Sequence, residues 1–292
     1  MIPKDVLKKI RRIEITTSRM VTDVFAGQYK SVFKGRGIEF DEVREYLPGD
    51  EIRSIDWNVT ARMGHPYIKQ FVEERELTIM LLIDKSPSSF FGTTNELKSQ
   101  LAAEITSLLA FSAIRNNDKV GLIVFTDKVE KFIPPRKGSK HVLRVIREAL
   151  YYKPEGRGTN IEEAVSFMNR VTKRKTVAFL ISDFYAPNFK KPLLVANKRH
   201  DLIAVTITDP RELKLPNEGI MEFKDPETQK EFLIDTSSPA VRRRYAENSK
   251  KIFGEREKLF RSISVDTIDI RTDRPYYDTL YRFFKMRERR LR

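Results

Sequence analysis

Five oxygen-bearing residues are spaced so that a folded chain could gather them around one cation: Asp84, Ser86, Ser88, Thr159 and Asp183. The first three belong to LTIMLLIDKSPSSFFG (residues 77–92), where seven almost wholly apolar residues give way to an aspartate and three serines. Ser86 and Ser88 alternate around Lys85 and Pro87, so in an extended loop both hydroxyls face one side. Thr159 lies in GRGTN, a glycine-rich loop ahead of a helical pattern, and Asp183 lies in ISDF at the end of another apolar run. Two carboxylates and three hydroxyls are hard donors that suit Mg²⁺ or Mn²⁺ better than zinc or copper. Two aspartates only balance a divalent charge, so an octahedral ion held this way could still accept an incoming acidic residue. Each residue also has an ordinary alternative. The aspartates and serines are good turn formers, and Thr159 with Glu162 fits a capping box. The metal site is favoured by the joint pattern, in order and at strand ends.

The elements that must position these residues are legible as apolar runs. Residues 77–83, 120–125 (VGLIVF), 176–181 (TVAFLI) and 202–207 (LIAVTI) read as buried strands, with the more polar 265–270 (VDTIDI) nearer an edge. Unbroken Val/Ile/Leu runs suit a parallel sheet covered on both faces. Residues 128–133 are expected to hairpin back as an antiparallel edge. Helical patterns fill 95–115, with Thr93 and Glu96 as its capping box, and also 139–150, 160–172, 240–263 and the segment from Tyr276. This alternation predicts an α/β fold: a doubly wound, mostly parallel sheet with helices on both faces. A small N-terminal α+β module is expected over 1–75, beginning with a basic helix over 3–20. The sheet domain follows over 76–275, then a basic C-terminal helix over 276–292. Within the module, Asp41, Glu42, Glu45, Asp50, Asp56 and Trp57 read as a solvated loop around one buried tryptophan, or as a polar network with Arg36, Arg44 and Arg53.

Composition narrows the chemistry further. With no cysteine among 292 residues, thiolate metal sites, disulfides and cysteine nucleophiles are excluded, and His65, His141 and His200 have no ligand-like spacing. Lys and Arg outnumber Asp and Glu by 55 to 41, and the resulting +14 favours acidic partners. Neither a signal-peptide pattern nor a bilayer-length apolar run is present, which suggests a cytoplasmic protein without a transmembrane segment.

The D-x-S-x-S run at Asp84, the later G-T-N at Thr159 and the later S-D at Asp183 resemble the metal-ion-dependent adhesion site of von Willebrand factor A domains. That resemblance implies a Mg²⁺ (or Mn²⁺) centre with Asp84, Ser86 and Ser88 from the first loop, Thr159 from the second and Asp183 from the third. The upstream run KGRGIEFDEVREYLPGDEIRSIDWNVTARMGHPYIKQFVEERE is similar to the bacterial domain-of-unknown-function family fifty-eight. Kinship with that family implies a non-enzymatic adaptor for a MoxR-type AAA+ ATPase, with a partner or client supplying an acidic residue to the metal.

Two other classes compete. A metal-dependent phosphohydrolase of the haloacid-dehalogenase kind needs a second acid two residues after its aspartate, and here that position is Ser86. The net charge motivates a nucleic-acid-binding reading, but no helix-turn-helix, zinc-finger or RNP pattern supports it. For the aromatic-rich C-terminal helix the expectation is packing through Leu280, Phe283, Phe284 and Leu291, with peripheral contact to anionic lipid as the alternative.

Overall fold

The computed structural model describes residues 39–72, 77–93, 97–227 and 229–291. The helix expected over 3–20 and the boundary expected near Arg75 lie outside them. Strand β1 (Glu39–Glu45) pairs antiparallel with β2 (Tyr67–Val72), and the short helix α1 (Trp57–Met63) lies between them in the chain. Asp56 caps α1 by accepting from the amides of Asn58 and Val59. Arg44 and Asp50 form a two-pronged ion pair at 2.8 and 2.7 Å, so one pair of the expected polar network is present. Trp57, expected to be buried, is 66% exposed: it opens the short α1, none of whose residues is buried.

The main sheet contains β3 (Thr78–Asp84), β4 (Lys119–Phe125), β5 (Val129–Arg136), β6 (Val177–Ser182), β7 (Asp201–Thr208) and β10 (Asp266–Arg271). Its spatial order is β10-β7-β6-β3-β4-β5, parallel throughout except for β5, which turns back antiparallel on β4. β3 shows why the strand runs are unbroken. Ile79, Leu81 and Ile83 enter one hydrophobic layer, while Met80 and Leu82 enter the other. A strand covered on both faces has no position to give to water.

The first layer is closed by α2 (Lys98–Arg115), α3 (Ser139–Tyr151) and α8 (Tyr276–Leu291). The second is closed by α4 (Ile161–Val171), α5 (Lys190–Arg199) and α7 (Pro239–Ser262). The basic C-terminal helix is therefore part of the core, with Leu280 and Phe284 fully buried and Phe283 nearly so. Sequence periodicity did not reveal α5, the helical turn α6 (Pro210–Leu213), or the separate hairpin of β8 (Ile220–Lys224) and β9 (Glu231–Asp235). Of the capping box expected at Thr93 and Glu96, Glu96 lies outside the described residues; α2 begins at Lys98, and Thr93 bonds to Asp209 through its amide and hydroxyl.

The chain enters the sheet at its centre with β3, runs outward to β4 and β5, then returns to β3's other side as β6. The helices after β3 and β6 cover opposite faces. The crevice at the carboxyl ends of β3 and β6 is thus the switch point of the sheet, where open α/β folds collect ligands. No helix among the described residues is long and apolar enough to cross a membrane.

Candidate metal centre

Asp84 is the last residue of β3 and is 2% exposed. Its Oδ1 accepts the Ser86 amide at 2.8 Å, and its Oδ2 accepts the Ser182 hydroxyl at 2.6 Å. Ser182 ends β6, and its Oγ in turn accepts the Phe184 amide at 2.9 Å, so two neighbouring strand ends are tied through one serine. Ser86 is buried, and its Oγ lies 3.1 Å from Ser88 Oγ. For bonds near 2.1 Å, adjacent corners of an octahedron are about 3.0 Å apart, so the two hydroxyls have the separation of neighbouring Mg²⁺ ligands.

Asp183 follows β6. Its Oδ1 accepts the Tyr185 amide at 3.1 Å, and its Oδ2 accepts from the Lys98 ammonium at 2.7 Å. Lys98, which opens α2, also reaches Glu212 at 2.6 Å in the Asp209–Glu212 capping box of α6. Burial pulls the Lys98 pKa down, but the charges of Asp183 and Glu212 outweigh it and hold the ammonium above its ordinary value. Among the described residues Asp84 has no such cation. Burial, reinforced by the negative charge of Asp183, pushes its carboxyl up to about 6 against the opposing bonds from Ser182 and Ser86.

Thr159 precedes α4 in a loop fixed at both ends. The Asn160 amide donates to the Thr126 carbonyl just after β4, while Glu130 Oε1 accepts the Gly156 amide at 2.7 Å and the Thr126 hydroxyl at 2.8 Å. Gly156 must be glycine, because a Cβ there would lie 2.0 Å from Asp127 Oδ1 and 2.1 Å from Thr126 Oγ1. The Lys85 amide donates to the Phe125 carbonyl, so the loops after β3 and β4 lean on the same strand end. Thr159 makes no capping box: Asn160 caps α4 through the Glu163 amide, and the Thr159 hydroxyl donates to Glu227 Oε1 at 2.8 Å.

The structure thus joins Asp84, Ser86 and Ser88 in one hydrogen-bonded chain and sets Asp183 beside them. Thr159 stands in the adjoining loop, bonded elsewhere.

Residues 42–252 match the family described as Protein of unknown function DUF58. A Mycobacterium tuberculosis relative, Uncharacterized protein Rv1480, is 30% identical over 285 residues, covering 96% of this chain and 89% of its own. The chain belongs to the DUF58 family. Among solved structures, BatB from Bacteroides thetaiotaomicron superposes with a TM-score of 0.47 at 15% identity, over 73% of this chain and 99% of that one. The SpRpn10 VWA domain gives 0.39 at 12% identity, over 70% and 94%. At such scores the likeness carries no functional information.

In this DUF58 chain the residues that sequence reasoning missed are Ser182, Lys98, Glu212 and Glu227. Only Ser182, one position before Asp183, had a nearby signal; the other three meet the site across long separations in sequence. Among the described residues no three acids or histidines cluster as a metal cage, so an ion here would depend on hydroxyls and water. The donor set still fits one. Asp183 and Glu212 share the buried Lys98, and Arg256 donates to the Asp183 carbonyl. Among the described residues no cation pairs with Asp84, which lies beside the paired hydroxyls.

Proposed function

We propose that this DUF58 protein is a non-enzymatic interaction module whose docking position is a Mg²⁺ or Mn²⁺ centre at the sheet's switch point. Asp84, Ser86, Ser88 and Asp183 would hold the ion, with Thr159 offering a further hydroxyl. When bound, the ion supplies a Lewis-acidic position to which a partner's carboxylate can attach. The observation that carries this reading is Asp84: a buried carboxylate at a ligand crevice, met among the described residues by hydroxyl and amide donors, with two serine hydroxyls beside it.

The chain's own residues do the positioning. The β3 backbone fixes Asp84, the Ser86 amide turns the first loop back onto it, and Ser182 locks its second oxygen. Ser86 stands where a phosphohydrolase would need an acid, and a serine hydroxyl cannot protonate a leaving group at neutral pH. A MoxR-type AAA+ ATPase, or its client, is the partner that family kinship favours. Two arginines of α8 are already engaged by acids, which weakens the nucleic-acid reading: Arg287 pairs with Asp201 and Asp266, and Arg290 pairs with Asp266.

The test is titration calorimetry with Mg²⁺ and Mn²⁺ on the wild type and Asp84→Asn, alongside capture of a purified MoxR-type ATPase with and without EDTA. Binding lost in the variant, and capture lost in EDTA, are expected. A wild type that binds neither ion, or capture that EDTA leaves unchanged, would defeat the proposal.

A further inference from the structure

Glu227 is an acid of the β8–β9 hairpin that reaches a candidate ligand, Thr159. It sits at the tip of the β8–β9 hairpin, 68 residues from Thr159, and accepts a hydrogen bond from that residue's hydroxyl at 2.8 Å. The tip is built to present it. Asp225 accepts the Glu227 amide at 2.9 Å, its carbonyl accepts the Gln229 amide at 2.8 Å, and its own amide donates to the Lys230 carbonyl at 2.9 Å.

A threonine hydroxyl carries one proton and two lone pairs. To bind a cation it offers a lone pair, so the proton must have another acceptor. Glu227 provides one. We propose that Glu227 is a positioning residue of the metal centre, which fixes the Thr159 proton so that its oxygen is free for the cation, and which couples the hairpin to metal occupancy. This rests on the metal-binding reading above.

The coupling follows from how weakly the hairpin is otherwise held. Its side chains bury little: Ile220, Phe232 and Leu233 are 73%, 51% and 76% exposed. Its base is pinned by the Thr236 hydroxyl on the Gly219 carbonyl and by Arg242 on the carbonyls of Thr236 and Ser237. At the tip, the Glu227–Thr159 bond joins the hairpin to the loop before α4. A cation on Thr159 Oγ1 polarises the O–H and strengthens its bond to a carboxylate. Metal binding therefore steadies the tip, and by linkage a steadied tip favours the metal.

The test uses the full chain and Mn²⁺ as the probe. Affinity is measured for the wild type, Asp84→Asn, Glu227→Gln and Glu227→Ala, and hydrogen exchange of the β8 and β9 amides is followed with and without Mn²⁺. Loss of an outer partner of a metal ligand typically weakens binding about 10–100-fold, so Glu227→Ala is expected at least about tenfold weaker. Glu227→Gln, which keeps an acceptor oxygen, is expected to fall between. Mn²⁺ should slow exchange in the wild-type hairpin and have no effect there in Glu227→Ala. A purely structural tether predicts the same hairpin exchange with and without metal, and that result overturns the inference. Binding abolished by Asp84→Asn but unchanged in Glu227→Ala overturns this inference alone, whereas a wild type that binds no Mn²⁺ overturns it together with the metal reading.

Discussion

The two ends of the parallel sheet both carry acids, yet they use them differently. At the amino end, Asp201 opens β7 and Asp266 opens β10, and both pair with Arg287 of α8 at 2.7 and 3.1 Å. These acids keep 26% and 28% of their side-chain surface, so water shares the work of solvating them. At the carboxyl end, Asp183 and Lys98 each keep 3%, and among the described residues no cation pairs with Asp84. The same residue type at a strand boundary is thus a staple at one end and an unfinished electrostatic site at the other. The difference comes from the crossovers: helices leaving β3 and β6 on opposite faces open a crevice only at the carboxyl end.

Breaking the buried ion pair should expose this contrast most sharply. Lys98→Met strands Asp183 and Glu212 in the interior, and a loss of about 3–5 kcal/mol is expected in urea unfolding. Adding Glu212→Gln should recover part of that loss; a double mutant no better than the single would show that charge is not the cause.

Next in size is the loop that carries Thr159. Gly156→Ala drives a Cβ into Thr126 and Asp127. Relaxation of this overpacked turn is expected to cost about 1–3 kcal/mol and to weaken Mn²⁺ binding without abolishing it. Unchanged calorimetric affinity would separate the loop from the metal centre.

At the opposite end, Arg287→Ala removes two partly exposed ion pairs and a cation–π contact with Phe283. About 1–2 kcal/mol should go, less at high salt, with metal affinity unchanged. An altered Mn²⁺ affinity would mean the two ends are not independent.

The smallest effect is on pH dependence. Burial, with help from Arg199, lowers the pKa of His200. The unfolded chain then binds that proton more readily than the folded one, so stability falls as pH drops below about 6.5. Thermal melts of His200→Asn should show a shallower loss across that window than the wild type.

Much of the architecture could be read directly from residue order. The runs at 77–83, 120–125, 176–181 and 202–207 lie within a residue or so of β3, β4, β6 and β7, because a strand buried on both faces tolerates no polar interruption. The hairpin stayed hidden because its alternation buries almost nothing and so leaves a weak pattern. Thr159 shows a subtler limit. Its spacing from Glu162 suggested a cap, but the neighbouring Asn160 takes that role and frees the threonine for Glu227.

The alternating α/β layers and the placement of Asp84, Ser86, Ser88 and Asp183 at strand ends follow from residue order, since hydrophobic periodicity and punctuation are local properties of the chain. Which polar groups meet is set by the packed fold: Lys98 with Asp183 and Glu212, Ser182 with Asp84, and Glu227 with Thr159. Those pairings depend on which helix covers which face and on which strands become neighbours. Such long-range packing choices leave no periodic trace in the order of residues.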